Sequence, residues 1–125
     1  MKAALLATLG LAIYAAIAPS VQAAVPADAR IEIVELLRRI GTSGCEFRRN
    51  GFGYDSRRAA QHLQFKFDAL AARDAIRSAE EFIDKAATRS SLTGLAYEVR
   101  CAGTAAVPSG QWLHEQLSQM RRPDA

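Results

Sequence analysis

Apolar positions along the chain follow three patterns: an unbroken run near the start, stripes at three- and four-residue spacing, and short alternating stretches. Ile33, Leu36, Leu37 and Ile40 share one side of a helix predicted from Asp28 to Ile40. It is expected to stop at Gly41, a residue that tolerates the left-handed conformation of a helix end. A second helix is predicted from Asp55, whose carboxylate can cap it, through Ala72. Ala59, Leu63, Phe67 and Leu70 form its apolar stripe, and Phe65 lies opposite. Ser78 and Glu81 have the spacing of a capping box and open a third helix. That helix turns Ala79, Phe82, Ile83 and Ala86 inward and Glu81, Asp84, Lys85 and Thr88 outward, and Ser90-Ser91-Leu92-Thr93-Gly94 closes it. Ser109 starts a fourth helix with Leu113, Leu117 and Met120 on one face, and the tail after Met120 is expected to fray.

Two segments alternate instead. Cys45 to Arg49 ends at the turn pair Asn50-Gly51, and Leu95 to Cys101 reads as a second strand. Setting Cys45 opposite Cys101 in an antiparallel ribbon determines the register, because facing positions keep a constant residue-number sum. Glu46 then meets Arg100, Phe47 meets Val99, Arg48 meets Glu98 and Arg49 meets Tyr97. Opposite charges fall on one face, and an apolar pair joins the disulfide on the other, a stabilising pattern. The predicted architecture is α+β, with about four helices packed on the Phe47 and Val99 face of a two-stranded antiparallel ribbon. One disulfide, Cys45 to Cys101, braces it and by chain entropy adds roughly 4 kcal/mol. The alternative is a pair of inert buried thiols.

The unbroken run changes the domain count. Met1 and Lys2 make a cationic start, Ala3 to Ala18 is apolar, and Pro19 and Ser20 lead into Val21-Gln22-Ala23, a sequence suited to a signal peptidase. Residues 1–23 are thus expected to be a cleavable signal peptide and residues 24–125 a single compact mature domain in an oxidising compartment. The run is short for a membrane anchor, acidic Asp28 follows it, and no cysteine stands at the cleavage point to carry lipid. The full chain has 16 Lys and Arg against 13 Asp and Glu, a net charge of +3 that implies no nucleic acid. The arginine pairs at 38–39, 48–49, 57–58 and 121–122 mostly have acidic neighbours and lie on different helical faces, so they read as a solvated surface.

Several motifs carry a family likeness. Phe47-Arg48-Arg49-Asn50-Gly51, Tyr54, His62-Leu63, Lys66, Ala79-Glu80-Glu81-Phe82-Ile83, Ser90-Ser91-Leu92-Thr93-Gly94, Tyr97-Glu98-Val99 and Trp112-Leu113 resemble the YfeK-like family. Its members are small secreted proteins of Gram-negative bacteria, classed as a domain of unknown function. The likeness spans nearly the whole mature chain. It implies a periplasmic address and a shared compact fold, and brings with it no activity, ligand or catalytic residue.

The candidate binding surface comprises Arg49, Asn50, Gly51, Tyr54, His62, Lys66, Ser90, Ser91, Tyr97 and Trp112. Alternation puts Arg49 on the face of Phe47, where it can bind an anion or stack on Tyr97 and cap the core. Asn50 and Gly51 are first a turn and secondarily a source of backbone donors. His62 and Lys66 stand one helical turn apart, and their polar ends can meet the Ser90 to Gly94 loop if the second and third helices pack antiparallel. Hydroxyl, imidazole and amine are ingredients of acyl transfer. No Gly-x-Ser-x-Gly elbow or Ser-x-x-Lys motif accompanies them, so helix-end capping is the role expected of the serines and no catalytic residue is assigned. Phe65 and Trp112 can form an exposed aromatic patch for a protein or glycan. His62 and His114 lie far apart and the cysteines are paired, so neither a metal nor a cofactor is expected.

The expected function is a non-enzymatic periplasmic interaction or ligand-binding module, a description that fits an inhibitor or immunity-like protein. Its partner would be another envelope protein or a cell-wall component, with no nucleic acid and no stable membrane anchor. The rival is a small envelope hydrolase or transferase using His62 with Ser90 or Ser91. A purely structural envelope component is a third reading.

Overall fold

Four helices and a four-stranded antiparallel sheet make up the computed structural model, which describes residues 3–5, 7–17 and 24–123. The elements run α1 (Ala27–Thr42), β1 (Glu46–Arg49), β2 (Phe52–Tyr54), α2 (Ser56–Ala71), α3 (Ala79–Ala86), β3 (Glu98–Arg100), β4 (Val107–Pro108) and α4 (Ser109–Met120). The expected cleavage residues Val21-Gln22-Ala23 lie outside the described residues. The described part of the apolar run forms neither helix nor strand, and Leu9, Leu11, Ile13 and Ile17 are exposed. Among the described residues no helix is long and apolar enough to cross a membrane.

The sheet order is β2-β1-β3-β4, so the expected two-stranded ribbon is the centre of a larger sheet. Its register is the one charge and apolar matching demanded: Glu46 faces Arg100, Phe47 faces Val99 and Arg48 faces Glu98. Cys45 and Cys101 are disulfide-bonded at the end of this ladder. The ladder ends before the expected fourth pair, Arg49 and Tyr97. Tyr97 instead donates its N–H to the Thr88 carbonyl and accepts from the Ser109 N–H. The opposite charges are also redistributed: the Glu46 carboxylate receives both Arg100, at 3.6 Å, and Arg48 of its own strand, at 3.4 Å.

The two added strands have separate causes. Asn50 and Gly51 both have positive φ, 51° and 82°, the conformation a two-residue hairpin turn requires. The turn folds Phe52-Gly53-Tyr54 back along β1, with Phe47 facing Tyr54 and Arg49 facing Phe52. β4 is a two-residue pairing with β3 that delivers the chain into α4.

Three local expectations shift. α1 runs through Gly41 to Thr42, and the positive φ lies at Gly44. Gly41 serves packing: a Cβ there would come within 3.3 Å of the Ala60 Cβ, so its absence lets α1 and α2 approach. In the capping box, Ser78 Oγ accepts from the Glu81 N–H at 3.1 Å, but the Glu81 carboxylate accepts from the N–H of Arg77. Arg121, the first residue past α4, is tied down where fraying was expected. Arg121 binds the Glu32 carboxylate of α1 at 2.8 and 2.9 Å and also Glu80 of α3.

Asp55 Oδ1 accepts from the Arg58 N–H at 2.8 Å and caps α2. The core joins Ile33, Leu36 and Ile40 of α1, Phe67 of α2, Phe82 and Ile83 of α3, Leu113 of α4 and Val99 of β3, all fully buried. Phe67 and Phe82 meet edge to face at 5.7 Å at its centre. Each such side chain contributes about 1.5–3 kcal/mol by leaving water.

Candidate functional site

α2 has two working faces. Ala59, Leu63 and Phe67 enter the core. Rotated round the helix, Arg58, Gln61, His62 and Phe65 recur at i, i+3, i+4 and i+7 and form one wall of a cavity of about 390 Å³. The facing wall comes from the β1–β2 hairpin through Phe47, Arg49 and Tyr54, with Tyr97 and Ser109 completing the lining. The volume falls in the lower part of the range of small-molecule sites.

A continuous polar network borders this cleft. Lys66 Nζ donates to the Tyr97 hydroxyl at 3.1 Å and to the Arg89 carbonyl at 3.4 Å, and lies 5.1 Å from the centre of the Tyr97 ring. The Tyr97 hydroxyl is 3.5 Å from His62 Nε2. Arg49 Nη1 is 3.0 Å from the same nitrogen and 3.2 Å from Nδ1. Arginine only donates, so a neutral imidazole with an unprotonated ring nitrogen suits this contact, with Nε2, the nearer nitrogen, assigned as acceptor. Electrostatics agree. Burial lowers the His62 pKa, and the charges of Arg49 and Lys66 lower it further. Burial, then Arg49, lowers that of Lys66. Burial raises that of Tyr97, against the pull of Arg49.

The cluster lacks a counter-charge. Among the described residues, no ion pair joins Arg49 or Lys66 to a carboxylate. The cavity lining holds arginines at 48, 49 and 58 and no acid. Ser109, 1% exposed, also lines the cavity, and its Oγ is buried without a hydrogen-bond partner among the described residues. Phe65 is 73% exposed, and the Arg58 guanidinium sits 5.8 Å over the Tyr54 ring.

The structure divides the candidate residues into two groups. Arg49, Tyr54, His62, Lys66 and Tyr97 come together at the cleft. Asn50 and Ser90 instead build a clamp, with Gly51 completing the hairpin turn: Asn50 Nδ2 donates to Ser90 Oγ at 3.1 Å, and Thr93 Oγ1 donates to Asn50 Oδ1. Ser90, 3% exposed, also accepts from the N–H groups of Leu92 and Thr93, at 3.2 and 3.4 Å. Its hydroxyl thus caps a turn rather than a helix end. Ser91 is exposed, and no hydrogen bond joins His62 to either serine among the described residues. Trp112 packs edge to face on Phe47 at 5.9 Å and does not line the cavity, so it forms no patch with Phe65. The cation over the Tyr97 ring is Lys66, where Arg49 was expected to stack.

Arg58, Gln61 and Ser109 were not among the expected site residues. The first two had a signal in the spacing of Arg58, Gln61, His62 and Phe65 along α2. Ser109 had none, since its burial depends on how α4 docks. Among the described residues no group of three or more His, Cys, Asp or Glu is placed to hold a metal ion.

No curated protein and no solved structure matches the chain. Residues 27–121 match a family of unknown function (DUF5329), and the chain belongs to that family.

Proposed function

We propose that the protein is a non-enzymatic ligand-binding module of the periplasm, with the cleft between α2 and the β1–β2 hairpin as its binding site. One observation carries this reading: Arg49 and Lys66 are held half-buried beside an aromatic-walled cavity without an acidic partner. A cation withdrawn from water without a counter-charge weakens the fold. Such an arrangement is understandable where a ligand supplies the missing charge, because binding sites give up stability for function. The Lys66–Tyr97–His62–Arg49 network adds to this by holding the side chains in place at the cleft border. Export is supported by the disulfide and by the exposed apolar run at residues 3–5 and 7–17, and the YfeK-like resemblance agrees with a periplasmic address.

The full chain expressed in a Gram-negative host and recovered without denaturation tests both parts. Native mass spectrometry is expected to find a chain beginning at Ala24 and carrying a small-molecule adduct that Phe65→Ala and Lys66→Gln diminish. A chain that keeps residues 1–23 and stays in the cytoplasm overturns export. An adduct-free chain whose melting temperature no periplasmic small-molecule fraction raises overturns the binding role.

A further inference from the structure

Resting on that binding role, we infer that the cleft takes a small amphiphile with an oxyanion head, a carboxylate or phosphate monoester, its head at Arg49 and Lys66 and its apolar body along Phe65 and Tyr54. Charge sets the sign of the head. The lining carries three arginines and no acid; Arg48 pairs with Glu46 outside the lining, and Lys66 adds an unpaired cation beside it, so a cationic ligand meets net repulsion.

Donor inventory sets the chemistry of the head. Arg49 commits Nη1 to His62, leaving its Nε and Nη2 hydrogens without protein partners among the described residues. Lys66 uses two of an ammonium's three hydrogens, on Tyr97 and Arg89. The open donors belong to a guanidinium and an ammonium, the pair best suited to a multidentate oxygen acceptor.

The walls set the body. Phe47, Tyr54, Leu63, Phe65 and Tyr97 give an apolar surface that an inorganic anion leaves uncovered. The exposed Phe65 ring offers a flat platform at the cleft border. The volume of about 390 Å³ limits the ligand to a small molecule.

Calorimetric titration of the mature protein with five probes tests this: naphthalene-2-carboxylate, 2-naphthyl phosphate, the neutral naphthalene-2-carboxamide, 2-naphthylmethylammonium and inorganic phosphate. At least one naphthyl anion is expected to bind about tenfold or more tighter than the carboxamide, a margin of about 1.4 kcal/mol. The ammonium and inorganic phosphate should bind negligibly. The two anions distinguish a carboxylate from a phosphate head. Arg49→Met and Lys66→Gln should each abolish the anion's advantage, whereas Phe65→Ala should weaken anion and carboxamide alike. Thermal melting confirms that each variant folds. If Arg49→Met does not, Lys66→Gln carries the same reading. Equal binding of anion and carboxamide, both weakened by Phe65→Ala, overturns the oxyanion head and leaves the binding role standing. Inorganic phosphate binding as tightly as naphthyl phosphate overturns the amphiphile. Failure of every probe overturns this ligand class, while the adduct measurement decides the binding role separately.

Discussion

Arg49 of β1 reaches across the cleft to His62 of α2, with its Nη1 3.0 Å from the imidazole Nε2. The contact ties the sheet to the helix and also favours the neutral imidazole, because a guanidinium can only donate. Protonating His62 would remove that acceptor and gather three positive charges with no described carboxylate paired to Arg49 or Lys66. Arg49, Lys66 and Tyr97 are the charged or titratable groups hydrogen-bonded to His62 or to one another in this network.

Acid should therefore weaken the fold through His62. Its folded pKa lies below the ordinary value of 6.5, so between the two values the unfolded chain binds more protons. Stability then rises with pH across that window and falls as the medium is acidified from about pH 7 through 6.5. Urea denaturation at several pH values should show this slope in the natural protein and a shallower one in His62→Gln. Identical slopes would mean His62 does not titrate as its surroundings require.

Loss of the disulfide should be costly in a domain of this size. Replacing both Cys45 and Cys101 by alanine is expected to lower stability by roughly 2–4 kcal/mol. A reductant should do the same to the natural protein and nothing to the double variant. Equal unfolding midpoints with and without reductant would show that the bridge is energetically idle.

The clamp between the hairpin turn and the Ser90 loop makes a graded prediction. Ser90→Ala strands the Asn50 amide and the N–H groups of Leu92 and Thr93, and should destabilise by about 1–3 kcal/mol. Asn50→Gly keeps the left-handed turn and loses only the side-chain bonds. Asn50→Ala adds the strain of φ 51° and should be worse than glycine by about 1 kcal/mol. The order of the three melting temperatures checks the assignment, and an alanine at 50 that melts above the glycine would contradict it.

Arg121 gathers α1 and α3 at the end of α4, through Glu32 and Glu80. The pairs are substantially exposed, so Arg121→Ala should cost about 1 kcal/mol, and less in high salt. Arg121 also holds the Glu80 carboxyl below its ordinary 4.5, so this contribution is present above that value and fades as pH falls below it. Amide exchange in the last turn of α4 should accelerate in the variant. An unchanged exchange rate would leave the tail anchored by packing alone.

Local pattern determined much of this protein. Three- and four-residue spacing placed all four helices, and Asp55 and Ser78 marked two of their starts, because caps and stripes depend on residues within a turn or two. Cys45, Phe47, Val99 and Cys101 likewise determined the central register, since alternation and charge matching leave one pairing that buries the apolar positions. Tertiary structure decided what had no period to read. Three-residue β2, with glycine at its centre, and two-residue β4, ending in proline, are strands only because β1 and β3 supply partners. Gly41 has the composition of a helix stop, yet the approach of Ala60 made it a packing contact inside α1. Alternation turned Arg49 inward but named Tyr97 as its partner, whereas the ladder stops one pair short of it and Arg49 meets His62 instead. The rotation of α2 over the sheet brought His62 to Arg49 and Lys66 to Tyr97, because side chains distant in sequence meet only where packed elements carry them. The cleft exists by the same cause.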